Sequence, residues 1–190
     1  MATDDFELSV MFDLKEKEVS KIFMCWVNFL YFQLSEIEFW PSRQVVSETM
    51  PMQFKRLFPS TRVIIDATEI PIQKPSHIGH QSASFSTYKN TDTLKTLIGC
   101  TPRGLVSFVS DAFGGLTSDR QICERSELMK KPLFDAGDSI MADHGFNMQD
   151  LFAAKNVQVN IPSYLKGKSQ LSAQEVVKDR RIAAKRIHIE

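Results

Sequence analysis

The 190-residue sequence has few cysteines, and they are scattered along the chain. Cys25, Cys100 and Cys123 form no Cys-x-x-Cys pair, which argues against a cysteine-based zinc site and against a disulfide framework. The chain also lacks an apolar run of transmembrane length, and its acidic start is unlike a signal peptide. These absences fit an intracellular protein of a reducing compartment, with one domain large enough for a sizeable core.

The sequence has no excess charge of either sign, so bulk charge gives no support for nucleic-acid binding. The distribution along the chain is uneven. Residues 1–50 hold four Lys/Arg and nine Asp/Glu, a net of −5, whereas residues 151–190 hold eight and three, a net of +5. The basic end predicts either a local anion-binding face or an ordinary solvated one.

The first part of the chain is predicted to be helical. Residues 13–34 carry apolar side chains at three- and four-residue steps, which predicts one long helix whose stripe packs against the protein's own core or covers a partner surface. Residues 1–12 are expected to be a loose lead-in. Shorter helices are predicted over residues 42–50, beginning at Ser42, and over residues 51–59.

Two apolar runs that end in an aspartate organise the rest of the chain. Residues 62–66 read Arg-Val-Ile-Ile-Asp, and residues 139–143 read Ser-Ile-Met-Ala-Asp. Each predicts a buried strand with a carboxylate at its carboxyl end. Such a charge needs a partner, a hydrogen-bond network or a metal, although a strand-end aspartate can also simply cap the following turn.

The order of elements predicts a mixed α/β fold with a ribonuclease-H-like sheet flanked by helices. After the first strand come a polar stretch with an edge strand near residues 85–88, a hairpin over residues 94–110 and a helix from Ser118 to about Lys131. The strand at 139–143 is followed by a short helix at 147–155, a strand at 157–161 and a last helix opening at Ser172.

In this order the first and fourth strands can be parallel neighbours, which would place Asp66 and Asp143 side by side. Two carboxylates that close repel unless a divalent cation lies between them, and hard oxygen ligands suit Mg²⁺ or Mn²⁺. His77 and His80 are a weaker metal pair, because they lack a helical context and a third ligand.

Several motifs in consistent order carry a family resemblance: IIDATEI, the polar stretch through the hairpin, GGLTSDR, MADHGF and IAAKRIHIE. Together they resemble the DDE superfamily endonuclease domain of Harbinger-like and THAP-linked transposases over residues 62–190. Residues 13–59 are similar to the helix-turn-helix segment before that domain. The resemblance implies a helix-turn-helix-like segment over 1–60 and an endonuclease domain over 61–190.

The resemblance implies a catalytic metal triad of Asp66, Asp143 and Glu190, with Asp119 as a weaker ligand or a mere helix cap. It implies two-metal hydrolysis of DNA phosphodiesters with Mg²⁺ or Mn²⁺, and a nuclear location. His188 could orient a phosphate or lie solvated on its helix. Basic side chains are candidates for DNA phosphate contacts: Lys89, Lys95, Arg120, Lys166, Lys168, Lys185 and Arg186.

The sequence departs from the family pattern at three points. His144 stands where the family usually has arginine, the chain ends at Glu190, and the zinc-binding recognition module often found in the family is missing. These departures keep alternatives open: a truncated, inactive or domesticated domain that binds DNA or protein, or a nuclease acting on RNA hybrids. The acidic N-terminal helices favour core support or partner binding over DNA reading, so a separate DNA-binding protein could serve as partner.

Overall fold

The computed structural model describes residues 4–37, 39–165, 167 and 170–186. Contacts between Cα atoms divide the chain into two compact units, Met1–Glu38 and Phe39–Glu190. The helices are α1 (Asp5–Phe12), α2 (Glu16–Ser35), α3 (Arg43–Thr49), α4 (Met52–Leu57), α5 (Ile78–Ser84), α6 (Asp119–Arg125), α7 (Glu127–Lys130), α8 (Gln149–Ala153) and α9 (Ala173–Arg186). The strands are β1 (Thr61–Pro71), β2 (Phe85–Ser86), β3 (Thr91–Cys100), β4 (Val106–Val109), β5 (Phe113–Gly114), β6 (Ser139–Met141) and β7 (Gln158–Asn160).

Residues 4–37, the described part of the first unit, form two helices where one was predicted. The Asp4 carboxylate accepts a hydrogen bond from the backbone N–H of Phe6 (3.0 Å) and so caps α1. Asp13 adopts the left-handed conformation, which ends α1 and separates it from α2. The long helix predicted over residues 13–34 is confirmed as α2, whereas the prediction of a loose lead-in is wrong for Asp5–Phe12, which form α1.

The apolar stripe of α2 does not form a core within this unit. Two helices cover only one side of each other, and Val19 is the only buried residue of α2. Trp26, Leu30 and other large apolar side chains of the helix are exposed. The prediction that this stripe packs against the protein's own interior is thus not met within the unit.

The second unit is built on a mixed sheet with the strand order β2-β3-β1-β6-β7, and β4 and β5 also pair with β3. β1 and β3 are antiparallel, whereas β1–β6 and β6–β7 are parallel. This is the ribonuclease-H-like arrangement, and it confirms that the two aspartate-ending strands are parallel neighbours. The predicted hairpin is also confirmed, as β3 and β4.

The central strand β1 is covered on both faces, as its continuous apolar run predicts. Val63 and Ile65 pack in one buried cluster with side chains of β3, β6 and α6–α8. Ile64 points the other way, into a cluster that includes Phe54 of α4, Met141 of β6 and Ile182 of α9. The second cluster therefore fixes α9 over the face that carries Ile64.

Several local boundaries differ from the sequence prediction. The helix expected from 118 to 131 breaks at Ser126, which is extended and donates its hydroxyl to the carbonyl of Cys123 (2.9 Å). The strand expected over 139–143 ends at Met141, and the edge strand near 85–88 is only Phe85–Ser86. Helix α5 was not predicted; the His77 ring caps it by accepting from the N–H of Gly79 (3.2 Å), which gives that histidine a structural role.

Among residues 4–37, 39–165, 167 and 170–186, no helix is both long and apolar enough to cross a membrane.

Candidate active site

The parallel pairing of β1 and β6 brings Asp66 and Asp143 to one edge of the sheet. Ile64 on β1 is opposite Met141 on β6, and each aspartate follows two residues later. Because side chains two residues apart share a face, both carboxylates leave the sheet on the side of Ile64 and Met141, the side covered by α9. Both acids thus lie just past the last paired residues of β1 and β6. Asp143 follows the end of β6, but β1 continues to Pro71, so the prediction that Asp66 ends its strand is wrong.

Arg186 of α9 joins the two carboxylates. Its Nη1 atom lies 2.7 Å from Oδ1 of Asp143, and its Nη2 atom lies 3.9 Å from Oδ2 of Asp66. The arginine is only 8% exposed. Ile182, one turn earlier on α9, is fully buried against β1 and β6 and thereby holds the helix in place. The two acids therefore converge on a single cationic group.

Asp66 occupies an electrostatically unfavourable position for a carboxylate. Burial raises its pKa, and the nearby charges of Asp143 and Asp119 raise it further. The N–H of Ala67 (2.9 Å) and the Arg186 guanidinium oppose this effect but do not cancel it. A carboxylate that is partly desolvated and faces like charges gains from a nearby cation.

A second ionic network lies beside the pair. Lys95 of β3 places its Nζ atom 3.1 Å from Oδ1 of Asp119 and 3.2 Å from Oε1 of Glu69. Burial lowers the pKa of Lys95, but the two carboxylates outweigh burial and leave the pKa raised. Burial acts to raise the pKa of Glu69. Its hydrogen bonds with Ser86, Lys95 and Thr93 outweigh burial, so the net effect is a lowered pKa.

Asp119 is held by this network and does not cap its helix. The cap of α6 is Ser118, whose hydroxyl accepts from the N–H of Gln121 (3.3 Å), so the interpretation of Asp119 as a cap is wrong. Its Oδ2 atom lies over Gly145, where a Cβ atom would come within 2.7 Å of it. Asp119 therefore buttresses the loop that follows Asp143.

The remaining basic candidates have partners of their own. Arg120 pairs with Asp150 and Glu124 on the surface, Lys185 donates to the Gln53 side chain, and Lys89 lies 5.2 Å from the Tyr88 ring centroid. Glu190, His188, Lys166 and Lys168 lie outside the described residues. The roles of all these side chains in phosphate or metal binding stay predictions.

The donor chemistry of the aspartate pair fits a hard divalent cation. Both groups offer carboxylate oxygens, the ligand type that Mg²⁺ and Mn²⁺ favour. Among the described residues, no group of three or more His, Cys, Asp or Glu side chains is arranged to hold a metal. Asp66 and Asp143 are two of the three predicted ligands, and the third, Glu190, lies outside the described residues.

Sequence reasoning missed an aromatic contact next to Asp143. The His144 and Tyr164 rings lie 3.8 Å apart between centroids, and the Tyr164 hydroxyl donates to the carbonyl of His144. These residues, with Asn147, Ser163 and Leu165, line an open cavity of about 640 Å³. The signal available was that Tyr164 follows β7, and loops after adjacent parallel strands gather at the same edge.

A family model described as DDE superfamily endonuclease matches residues 65–190. The matched range contains both aspartates, Asp119 and Arg186. Comparison with curated proteins returned no match. Comparison with solved structures returned none either.

Proposed function

The chain belongs to the DDE superfamily endonucleases, and from that premise we propose that it is a transposase-derived, metal-dependent nuclease domain that hydrolyses DNA phosphodiester bonds. Asp66 and Asp143 are the proposed ligands of the metal, and Glu190 is the proposed third. Nuclear DNA is the proposed substrate, and a separate DNA-binding protein is a proposed partner. The observation that carries the proposal is the convergence of Asp66 and Asp143 on Arg186, just past the last paired residues of the parallel strands β1 and β6.

The proposed mechanism divides the work between the metal and the protein. Mg²⁺ or Mn²⁺, when bound, would supply Lewis acidity for a two-metal displacement. The two aspartates supply oxygen ligands and fix where the scissile phosphate lies. Because attack by water is in line with the departing oxygen, no side chain needs to form a covalent intermediate. The network of Lys95, Glu69 and Asp119 keeps the loop after Asp143 in position.

Desolvation around the pair strengthens this role. Asp66 has a raised pKa because it is partly buried. A cation beside Asp66 is therefore attracted more strongly than a cation beside a solvated carboxylate, since the local dielectric constant is lower than that of water. Basic groups near the site, including Lys185 and Arg186 of α9, are the proposed phosphate contacts, which hold DNA without reading its sequence.

The test is nicking of duplex DNA in the presence of Mg²⁺ or Mn²⁺. We expect the wild-type chain to nick, chelation to stop the reaction, and Asp66→Ala and Asp143→Ala each to abolish it. Asp111→Ala is the matched control, because it removes the same charge from an exposed residue that is not among the predicted ligands. Equal nicking by all four proteins would refute the proposal, and an RNA–DNA hybrid run alongside separates ribonuclease activity.

A second candidate function is DNA or protein binding without cleavage. The observation that favours it is that Arg186 supplies a cationic partner to both aspartates from within the chain. DNA binding that survives Asp66→Ala and Asp143→Ala, together with no nicking under any metal condition, would select this candidate.

A further inference from the structure

We propose that Arg186 is the resident counter-cation of the aspartate pair, and that a divalent metal binds the pair only by displacing its guanidinium group. The proposal deepens the proposed function and rests on it for the metal site. It gives Arg186 a role beyond phosphate contact: this residue sets the metal affinity of the site.

The geometry places the guanidinium where a shared cation would act. One nitrogen of Arg186 bonds Oδ1 of Asp143 at 2.7 Å, within the range of a strong charge-assisted hydrogen bond. Another lies 3.9 Å from Oδ2 of Asp66. One planar group therefore reaches both carboxylates, as a metal bridging them would.

The arginine is held there by the fold. Arg186 is 8% exposed, so little of its charge is screened by water. Ile182, one turn before it, is fully buried in the cluster that contains Ile64 and Met141. Because α9 is anchored by this contact, the guanidinium is delivered to the pair without any cofactor.

We expect a metal and the guanidinium to compete for these oxygens. A cation bound to Oδ1 of Asp143 on the side of Arg186 would replace the hydrogen bond from that residue. A guanidinium left in place would also put a positive charge within a few ångströms of a divalent one, where repulsion is strong at a partly dry site. Metal binding must therefore include the cost of moving Arg186 away, and the observed affinity is lowered by that cost.

Removing the guanidinium should have two measurable consequences. Without a metal, Asp66 and Asp143 would repel each other with no cation between them, so the chain should lose stability. With a metal, the competitor would be absent, so affinity should rise. Close charge pairs couple strongly enough that we expect a rise of about tenfold or more.

The experiment titrates Mn²⁺ into wild type, Arg186→Gln and Arg181→Gln without DNA. Calorimetry measures the binding, and thermal unfolding measures the stability with and without Mn²⁺. Arg181 is the matched control, since it is an exposed arginine of the same helix. We expect Arg186→Gln to be less stable than wild type in chelator. Mn²⁺ should raise its unfolding temperature more than that of wild type, and the variant should bind Mn²⁺ about tenfold more tightly. Arg181→Gln should match wild type.

Equal or weaker Mn²⁺ binding by Arg186→Gln would overturn the inference. If that variant is unfolded in chelator, refolding on addition of Mn²⁺ supports the inference. If Mn²⁺ does not refold Arg186→Gln, the Arg186→Lys variant decides, because the lysine ammonium reaches less far than the guanidinium. Tighter Mn²⁺ binding by Arg186→Lys than by wild type would support displacement. Unchanged binding would refute it. Nicking is measured separately, so Mn²⁺-dependent cleavage with equal affinities would refute this inference and leave the nuclease proposal standing.

Discussion

Replacing Asp138 with alanine tests how the two aspartate-bearing strands are held together. Asp138 immediately precedes β6 and is 2% exposed. Its Oδ1 atom accepts from Nη1 of Arg43 at 2.8 Å, and the same Nη1 atom donates to the carbonyl of Ser60, which precedes β1, at 2.9 Å. One arginine thus clamps the starts of both strands, at the ends opposite Asp66 and Asp143.

The magnitude follows from what the substitution leaves behind. Arg62 is 4% exposed, and its Nε atom lies 3.9 Å from Oδ2 of Asp138. Burial lowers the pKa of Arg62, while the charge of Asp138 acts to raise it. Removing one partner of a buried ion pair leaves the other charge buried without compensation, which costs about 3–5 kcal/mol. We expect Asp138→Ala to lower the free energy of unfolding by that amount.

The assay is urea unfolding followed by circular dichroism, which gives the free energy of unfolding from the midpoint and slope. The matched control is Asp135→Ala: Asp135 is 69% exposed and lies 3.8 Å from Arg62, so its loss should cost less than about 1 kcal/mol. A loss below about 1 kcal/mol for Asp138→Ala would refute the proposed clamp.

Three further predictions concern the site itself. Burial raises the pKa of Asp66, so the stability that this residue contributes is present below its unfolded-state pKa and is lost as the pH rises through its folded-state pKa. Asp66→Asn should therefore be more stable than wild type at neutral pH, and the difference in unfolding free energy should shrink in acid. A difference that does not change with pH would contradict this. Gly145→Ala would place a Cβ atom 2.7 Å from Oδ2 of Asp119. Because a side-chain oxygen can shift, we expect a cost of about 1 kcal/mol in urea unfolding, the low end for overpacking, together with slower nicking. Unchanged values in both assays would count against the buttress. Lys95→Met leaves Asp119 and the largely buried Glu69 without their cationic partner. We therefore expect the free energy of unfolding in urea to fall by about 3–5 kcal/mol. A fall of less than about 1 kcal/mol would show that the network is unimportant.

The strands of the site could be predicted because their signals are local. The Val63–Ile65 run and the Pro-Gly turn of the hairpin are read within a few residues, and the strand order follows from the parallel crossover. The neighbouring positions of Asp66 and Asp143 follow from that order alone.

The charges around the aspartates could not be predicted because they depend on distant contacts. Arg186 meets Asp143 across 43 residues of sequence, and Lys95 meets Asp119 across 24. Nothing local distinguishes these cations from the solvated Lys and Arg side chains that were grouped with them as phosphate contacts. At Ser126, helical periodicity continued across a residue whose hydroxyl bonds to its own backbone, so the break was missed.

The claim that Asp66 and Asp143 together hold a divalent cation is tested most directly by calorimetric titration of Mn²⁺ into metal-free wild type, Asp66→Ala and Asp143→Ala. We expect a binding isotherm for wild type that either single substitution abolishes. Unchanged Mn²⁺ binding by both variants would contradict it.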